Sequence, residues 1–170
     1  MNTPDLPNDM TGRDIVEAVR DGKIPRPPIN VPLAMWIDAV GDGTTTIKGE
    51  PDEHHLNSYG TLSGSYAAAL IDSATSCAFA TRLPAGVIVI TVDLNLNIVG
   101  SLRPPAGPLL AEGKVVHVGS QIGTAEATVR VADTGKMLAH GTSTLLRVSP
   151  DLEALGEVRV AARIGSPRHA

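Results

Sequence analysis

The sequence predicts an α+β domain in which an antiparallel sheet wraps around one long central helix. From Gly64 to Arg82, small and apolar residues recur at helical spacing, and Asp72 is the one charged residue before the final arginine. A helix with so little charge and such small side chains is expected to be buried on most faces. Strand-like runs lie before and after it, so we expect a sheet to cover it.

Length and composition favour one globular domain. The chain has 170 residues, of which 42% are hydrophobic and 19% are charged. We expect residues 1–50 to hold a lead-in, a short helix and a first hairpin. Residues 51–148 form the core, with the central helix at 64–82 and four strands, and residues 149–170 form a C-terminal tail of the same domain.

Charge and hydropathy argue against two classes of partner. The formal net charge of -4 gives no basic footprint for nucleic acid. The opening MNTPDLPNDM lacks the pattern of an export signal, and the longest apolar run is much shorter than a membrane span. A single cysteine, Cys77, fits a reducing compartment. We therefore expect a cytoplasmic protein with no nucleic acid partner and no membrane partner.

The N-terminal elements follow from turn and capping residues. After a lead-in over residues 1–10, a short helix is predicted from Gly12 to Asp21, with Thr11 as its cap. The proline-rich KIPRPPINVP forbids a helix. The next segment, LAMWIDAVGDGTTTIKGE, reads as two strands around a Gly-Asp-Gly turn at residues 41–43, and so as a hairpin.

Four strand-like runs follow the central helix, which Pro84-Ala85-Gly86 ends. The compact Asp-Thr-Gly connection at residues 133–135 favours an antiparallel meander. Beyond Pro150 the pattern fades, and we expect a short helix or a disordered tail. The predicted strands are Val87–Val99, Pro108–Val118, Ile122–Ala132 and Lys136–Val148.

The first of these runs alternates in polarity, which predicts one buried face. Strict alternation places Val92, Leu94, Leu96 and Ile98 on one face, and Thr91, Asp93, Asn95 and Asn97 on the other.

Asp72 is the main candidate for chemistry. Aspartate is a poor helix former, and this one lies too far from the helix N-terminus to benefit from the macrodipole. A solvated or locally hydrogen-bonded carboxylate explains it as well as a catalytic one does. Two features favour catalysis. A stripe of small residues beside Asp72 leaves room for a ligand (Ser65, Ala68, Ala69 and Ser76), and a polar loop, residues 55–64, leads to free N–H groups that favour developing negative charge.

These residues carry a family resemblance. The pattern Asn57-x5-Ser63-Gly64-x7-Asp72 resembles the Asn-x5-His-Gly-x7-Asp pattern of the PaaI-type hotdog-fold acyl-CoA thioesterases. The resemblance extends over about residues 52 to 147. It implies a hotdog fold and hydrolysis of acyl-CoA thioesters. This chain departs from the pattern in having Ser63 where the family usually has His, and Ser65 where it often has Gly.

The resemblance also implies roles for individual residues. Asp72 is then the general base or nucleophile, the Gly64 N–H polarises the thioester carbonyl, and Asn57 orients the water or the carboxylate. The active site lies between the two subunits of a homodimer, and we expect a dimer of dimers. Further substrate contacts are expected at Ser63, Ser65, Thr91 and His55, with coenzyme A phosphates met by Arg103, Ser120 or Gln121. No cofactor is expected, because coenzyme A is part of the substrate.

Other functions stay open. A hotdog dehydratase acting on hydroxyacyl thioesters needs a catalytic His, which Ser63 removes. A non-catalytic acyl-CoA binding module keeps the groove but uses Asp72 only as a hydrogen-bond acceptor. The histidine pair His54-His55 lacks a third ligand at matching spacing, so no metal is expected. Cys77 lacks a local His partner, so we do not expect it to be a nucleophile.

Overall fold

The computed structural model describes residues 9–103 and 107–148, and the two ends of the sequence lie outside that range. The described chain folds as one six-stranded antiparallel sheet with a long helix packed against one face. This confirms the predicted α+β class. The predicted C-terminal tail and most of the lead-in lie outside the described residues. Within the described residues, no helix is both long and apolar enough to cross a membrane.

The helices agree with the sequence patterns. Helix α1 spans Gly12–Arg20, and Thr11 and Asp14 form a capping box at its start. Helix α2 spans Gly64–Ala80, two residues shorter than predicted. Short 3-10 turns lie at Pro28–Asn30 and Glu53–His55.

The strands form a sheet whose order the sequence did not predict. Its order is β1-β2-β4-β5-β6-β3, and β4, β5 and β6 form the expected meander. Strand β3 precedes β4 in the sequence but does not pair with it. It lies at the far edge of the sheet and, among the described strands, pairs only with β6. The bounds are β1 Met35–Gly41, β2 Thr44–Gly49, β3 Ile88–Ile98, β4 Leu109–Val118, β5 Ile122–Val131 and β6 Met137–Val148.

The core lies between α2 and the inner face of the sheet. It is built almost wholly from aliphatic side chains and alanines, as the scarcity of aromatics requires. Helix α2 approaches β4 very closely at Gly113. A Cβ at that position would collide with the backbone carbonyl of Ala74, so only glycine fits there. The largest fully buried members include Tyr66, Phe79, Met35, Ile47, Leu70 and Ile71.

Strand β3 departs from strict alternation. Its register against β6 shifts between Thr91 and Asp93, so Val92 forms a β-bulge. Thr91 pairs with the buried Leu145, and Leu94 pairs with the buried Ser143. Thr91 therefore lies on the same inner face as Leu94 and Leu96. The sequence prediction grouped Thr91 with Asp93, Asn95 and Asn97, and Val92 with the leucines. That grouping was wrong, because the extra residue Val92 shifts Thr91 by one position relative to strict alternation.

Candidate active site

Asp72 lies near the middle of α2, half-buried, and faces β3. Thr91 Oγ1 donates a hydrogen bond of 2.8 Å to Asp72 Oδ1. A hydroxyl has a single proton, so this bond commits the Thr91 donor to the carboxylate. The second oxygen, Oδ2, has no hydrogen-bond donor among the described residues. The carboxylate is thus held on one side and open on the other.

The exposed side of α2 around Asp72 carries only short side chains. Their spacing of three and four residues places them on one face of the helix. The sheet covers the opposite face, whose residues are buried. The short side chains leave a shallow surface that reaches the carboxylate. They are Ser65, Ala68, Ala69, Ser73 and Ser76, of which Ser65 is exposed and the others half-buried.

A second group of interest lies at the N-terminus of α2. Ser63 is the N-cap, with φ -64° and ψ 139°, and its Oγ accepts from the Ser65 N–H and lies 2.7 Å from Ser65 Oγ. Gly64 is the first helical residue, so its N–H has no intrahelical acceptor. It donates to no other group in the described part of the chain. Ile98 covers the Gly64 α-carbon, where a Cβ would lie 2.6 Å from Ile98 Cδ1.

Asn57 organises the loop that leads into α2. Its Oδ1 accepts from the N–H groups of Tyr59 and Thr61, and its Nδ2 donates to Thr61 Oγ1. Gly60 completes this tight turn with φ +70°, a conformation that favours glycine. The structure therefore engages the Asn57 amide within its own loop and does not bring it into contact with Asp72 of the same chain.

His55 is a buried residue, and both nitrogens of its ring are hydrogen-bonded within its own chain. Its ring is 7% exposed and packs edge-on against Tyr66 at a centroid distance of 4.7 Å. Nδ1 accepts from the Asp52 N–H, and Nε2 donates to the Pro32 carbonyl. Asp52 Oδ1 also lies 2.9 Å from Nδ1, so the backbone and side chain of Asp52 both lie against this edge of the ring. His55 thus anchors the loop, and its substrate contact stays a prediction.

Gly64 and Asp72 cannot act on one carbonyl group within a single copy of the chain. They are eight positions apart in the same helix, which separates them by about 12 Å along its axis. A thioester carbonyl needs its oxyanion donor and its attacking group within a few ångströms of each other. Within one chain, the two groups are therefore out of reach of one another.

Cys77 follows Asp72 by five positions and packs against the core. Burial, with a smaller contribution from the negative charge of Asp72, raises the pKa of the Cys77 thiol to about 12. The thiolate is the nucleophilic form of cysteine, so this thiol is a poor nucleophile near neutral pH.

The residues expected to meet coenzyme A do not form one cluster in a single chain. Exposed Arg103 follows the C-terminal end of β3, near Leu62 at the start of α2. Exposed Ser120 and Gln121 form the β4–β5 turn, which lies at the other end of β3. The two groups are separated by about the length of an 11-residue strand, roughly 35 Å.

One cation near this turn was missed by the sequence reasoning. Arg147 lies on β6 opposite Val89, half-buried, and its guanidinium donates to the Gly119 carbonyl at 2.9 Å. It forms no ion pair within the described ranges. Only the strand pairing brings Arg147 beside Ser120 and Gln121, so nothing in the local sequence pointed to it.

A sheet wrapped on a charge-poor helix, with a hydrogen-bonded carboxylate on the helix and a free N–H at its start, is the arrangement of a hotdog-type protein. A family model described as the thioesterase superfamily matches residues 59–138. A protein of Halobacterium salinarum that carries an esterase name is 38% identical over 108 residues, covering 60% of this chain and 70% of the relative. The chain belongs to the thioesterase superfamily, as a PaaI-type hotdog protein, and thioester hydrolysis is its class of activity.

Solved structures show the same fold. A phenylacetic acid degradation-related protein of Ralstonia eutropha JMP134 is 22% identical, with a TM-score of 0.69 over 77% of this chain and 98% of that one. A thioesterase family protein from Silicibacter pomeroyi gives a TM-score of 0.70 at 21% identity, over 79% and 98% of the two chains. A mutant of the phenylacetic acid degradation protein PaaI from Thermus thermophilus is 25% identical, with a TM-score of 0.64 over 72% and 100%.

Proposed function

We propose that this protein hydrolyses acyl-CoA thioesters at a site that two copies of the chain share. The observation that carries the proposal is the Asp72 carboxylate, which Thr91 holds on one side and which opens on the other onto a surface of short side chains. Coenzyme A is part of the substrate, and the chemistry below calls for no cofactor.

The chemistry needs few groups. Asp72 takes a proton from water as the water oxygen attacks the thioester carbon. Alternatively, Asp72 attacks that carbon itself, and water then hydrolyses the resulting mixed anhydride to release the acid and restore the carboxylate. The Gly64 N–H stabilises the negative charge that develops on the carbonyl oxygen. The carbon–sulfur bond then breaks and the thiolate leaves. A thiol of pKa near 8.5 is a good leaving group, so strong general-acid help is unnecessary.

The separation of Gly64 and Asp72 supports a homodimer. Strand β3 has one neighbour, β6, so its other edge is unpaired within the described chain. Such an edge is a ready template for pairing with another strand. If two β3 strands pair antiparallel, the Ile98 end of one lies by the Ile88 end of the other. The start of the partner's α2, with its free Gly64 N–H, then lies towards Asp72 of the first copy.

The same pairing unites the residues proposed to contact coenzyme A. Arg103 follows one end of β3, whereas Ser120, Gln121 and Arg147 lie at the other end. Antiparallel β3 pairing brings these two ends together across the dimer. The shared cleft then combines two cations with polar turn residues, a set suited to phosphate groups. We propose a dimer of dimers as the full assembly.

The test is thiol release from a panel of acyl-CoAs, from acetyl through medium-chain to phenylacetyl and benzoyl. Asp72→Asn keeps the shape of the side chain but removes the base, so we expect a loss of about 100-fold or more in kcat. Asp93→Asn is the matched control, because Asp93 is exposed on the outer face of β3, and we expect it to keep wild-type turnover.

Two results would count against the proposal. If Asp72→Asn turns over every substrate as fast as the wild type, Asp72 is not the catalytic carboxylate. If the wild type releases no thiol but binds acyl-CoA tightly, the protein is a non-catalytic binding module, and the replacement of the usual His by Ser63 becomes the first feature to examine.

A further inference from the structure

Two buried hydroxyl groups connect the Asp72 turn of α2 to the strand pair that carries Thr91. Thr75 is fully buried, and its Oγ1 lies 2.8 Å from Ser143 Oγ on β6. On the helix side, Thr75 Oγ1 lies 2.9 Å from the Ile71 carbonyl and 3.1 Å from the Asp72 carbonyl. Ser143 is 1% exposed.

One arrangement of the protons gives both hydroxyls of this pair an acceptor. Each hydroxyl has one proton to donate. Thr75 donates to a helix carbonyl, Ile71 or Asp72, and Ser143 donates to Thr75 Oγ1. No other side-chain hydrogen bond of Ser143 exists in the described part of the chain. The bond to Thr75 is therefore what ties this point of β6 to the helix.

The connection closes a ring around the candidate carboxylate. Ser143 pairs with Leu94 of β3, and Leu145, two residues further along β6, pairs with Thr91. Thr91 in turn donates to Asp72 Oδ1. The ring thus runs from the Asp72 backbone through Thr75, Ser143 and the β6–β3 ladder to Thr91 and back to the Asp72 side chain. The Val92 bulge lies inside this ring.

We propose that Thr75 and Ser143 are positioning residues for the catalytic carboxylate. They fix the turn of α2 that carries Asp72 against the strands that carry Thr91, and so set the hydrogen bond between the two. Neither hydroxyl touches the open side of Asp72, so neither is a catalytic residue. The catalytic consequence rests on the proposed function, whereas the geometric consequence does not.

The chain supplies a matched control on the other side of the helix. Thr45 of β2 is 3% exposed, and its Oγ1 donates a 2.8 Å hydrogen bond to the Ala74 carbonyl of α2. Thr45→Val and Thr75→Val each remove one buried hydroxyl bonded to the same stretch of helix, with little change in shape. Of these two threonines, only Thr75 is hydrogen-bonded to β6, the strand that pairs with β3.

The experiment compares Thr75→Val, Thr75→Ser, Ser143→Ala and Thr45→Val with the wild type, using kcat and KM for the best acyl-CoA substrate together with denaturant unfolding. We expect Thr75→Val to lower kcat about tenfold with KM changed less than about twofold, because small displacements of a reacting group cost rate. Thr75→Ser should restore kcat, and Thr45→Val should lower stability but keep kcat.

A purely structural role predicts a different result. Thr75→Val and Thr45→Val would then both lower stability and both keep kcat, which would overturn the proposal. Crystal structures provide a readout that needs no activity. We expect the distance between Thr91 Oγ1 and Asp72 Oδ1, 2.8 Å in the wild type, to exceed about 3.5 Å in Thr75→Val, the point where a hydrogen bond is lost.

These readouts separate the two proposals. A wild type without thioesterase activity would refute the proposed function, while the distance in Thr75→Val would still decide the positioning role. An unchanged distance in that variant would overturn the positioning role even if the wild type is active.

Discussion

At the scale of single residues, two ionisable side chains of helix α2, Asp72 and Cys77, lie in different surroundings. The Asp72 carboxylate is half-buried and has a hydroxyl donor on β3. The Cys77 thiol has no such donor in the described structure, and burial raises its pKa to about 12. Asp72 is therefore the side chain on this face of α2 that is placed to act as a base or nucleophile.

The raised pKa of Cys77 gives a prediction about pH. The thiol stays protonated in the folded protein well above pH 9, its ordinary pKa, up to about pH 12. We therefore expect modification by a thiol reagent such as DTNB at pH 8 to be far slower in the folded protein than after unfolding in denaturant. Rapid labelling of the folded protein would contradict the raised pKa of the thiol.

The same shift has a sign for stability. A thiol whose pKa is raised by folding keeps its proton in the folded state when the unfolded chain has already released it. Stability from this group is thus unaffected below about pH 9 and falls as the pH rises from there towards 12. Cys77→Ala should reduce that alkaline loss and keep wild-type turnover at pH 8.

At the scale of secondary-structure elements, the bulge in β3 aims Thr91 at the helix. Strict alternation that counts Val92 as a regular strand residue would assign Thr91 to the outer face with Asp93. The Val92 bulge gives it the inner face instead, beside Asp72. Bulges often re-aim a side chain close to an active site. Strand β3 thus departs from regular strand pairing at Val92, the residue next to Thr91, whose hydroxyl bonds Asp72.

Deletion of Val92 tests the role of the bulge. The pairs on either side, Thr91 with Leu145 and Asp93 with Thr144, are compatible with a regular ladder once Val92 is gone. We therefore expect the variant to fold, with the leucines of β3 still facing the core. Because the local bend at Thr91 is lost, kcat should fall by about tenfold or more.

Two measurements check this prediction. Steady-state rates give the effect on turnover, and circular dichroism with thermal melting shows whether the fold persists. A folded deletion variant with wild-type kcat would show that the bulge is not needed to place the Thr91 hydroxyl.

At the scale of the whole molecule, the distance along α2 decides what one chain can do alone. Gly64 and Asp72 lie about 12 Å apart along the helix axis, so the proposed site needs the two groups from different copies. This separation follows from helix geometry and does not depend on the relatives. Under the proposed function, assembly into at least a dimer is a condition for activity.

Mixed dimers test the shared site. One subunit carries Asp72→Asn, and the other carries Gly64→Pro in an Ile98→Ala background. Proline removes the N–H at the first helical position, which tolerates it, and the φ and ψ of Ser63 suit a residue before proline. Ile98→Ala removes the side chain that a Cβ at position 64 would strike.

A heterodimer purified through two different affinity tags then has one intact site and one doubly defective site. We expect both parental homodimers to be nearly inactive and the heterodimer to show about half of the wild-type kcat per dimer. If both groups came from one chain, no site would be intact and the heterodimer would be inactive. Gly64→Ala with Ile98→Ala is the control, because it keeps the N–H.

The sequence by itself determined the class of fold and most elements. Helix α2 and the strands lie within about two residues of their predicted bounds, because helical spacing, turn residues and capping are local signals. The sequence also singled out Asp72, since a lone charge in a buried helix is unusual whatever surrounds it. The Asn-Gly-Asp spacing identified the family for the same local reason.

Only the tertiary structure decided which groups meet. The position of β3 beside β6, the inward aim of Thr91, the link between Thr75 and Ser143, and the presence of Arg147 beside the β4–β5 turn all depend on strand pairing. It also turned His55 and Asn57 into supports of a loop. Pairing joins residues far apart in the chain, and a register shift of one residue reverses the face of a side chain, so no local pattern could specify these contacts.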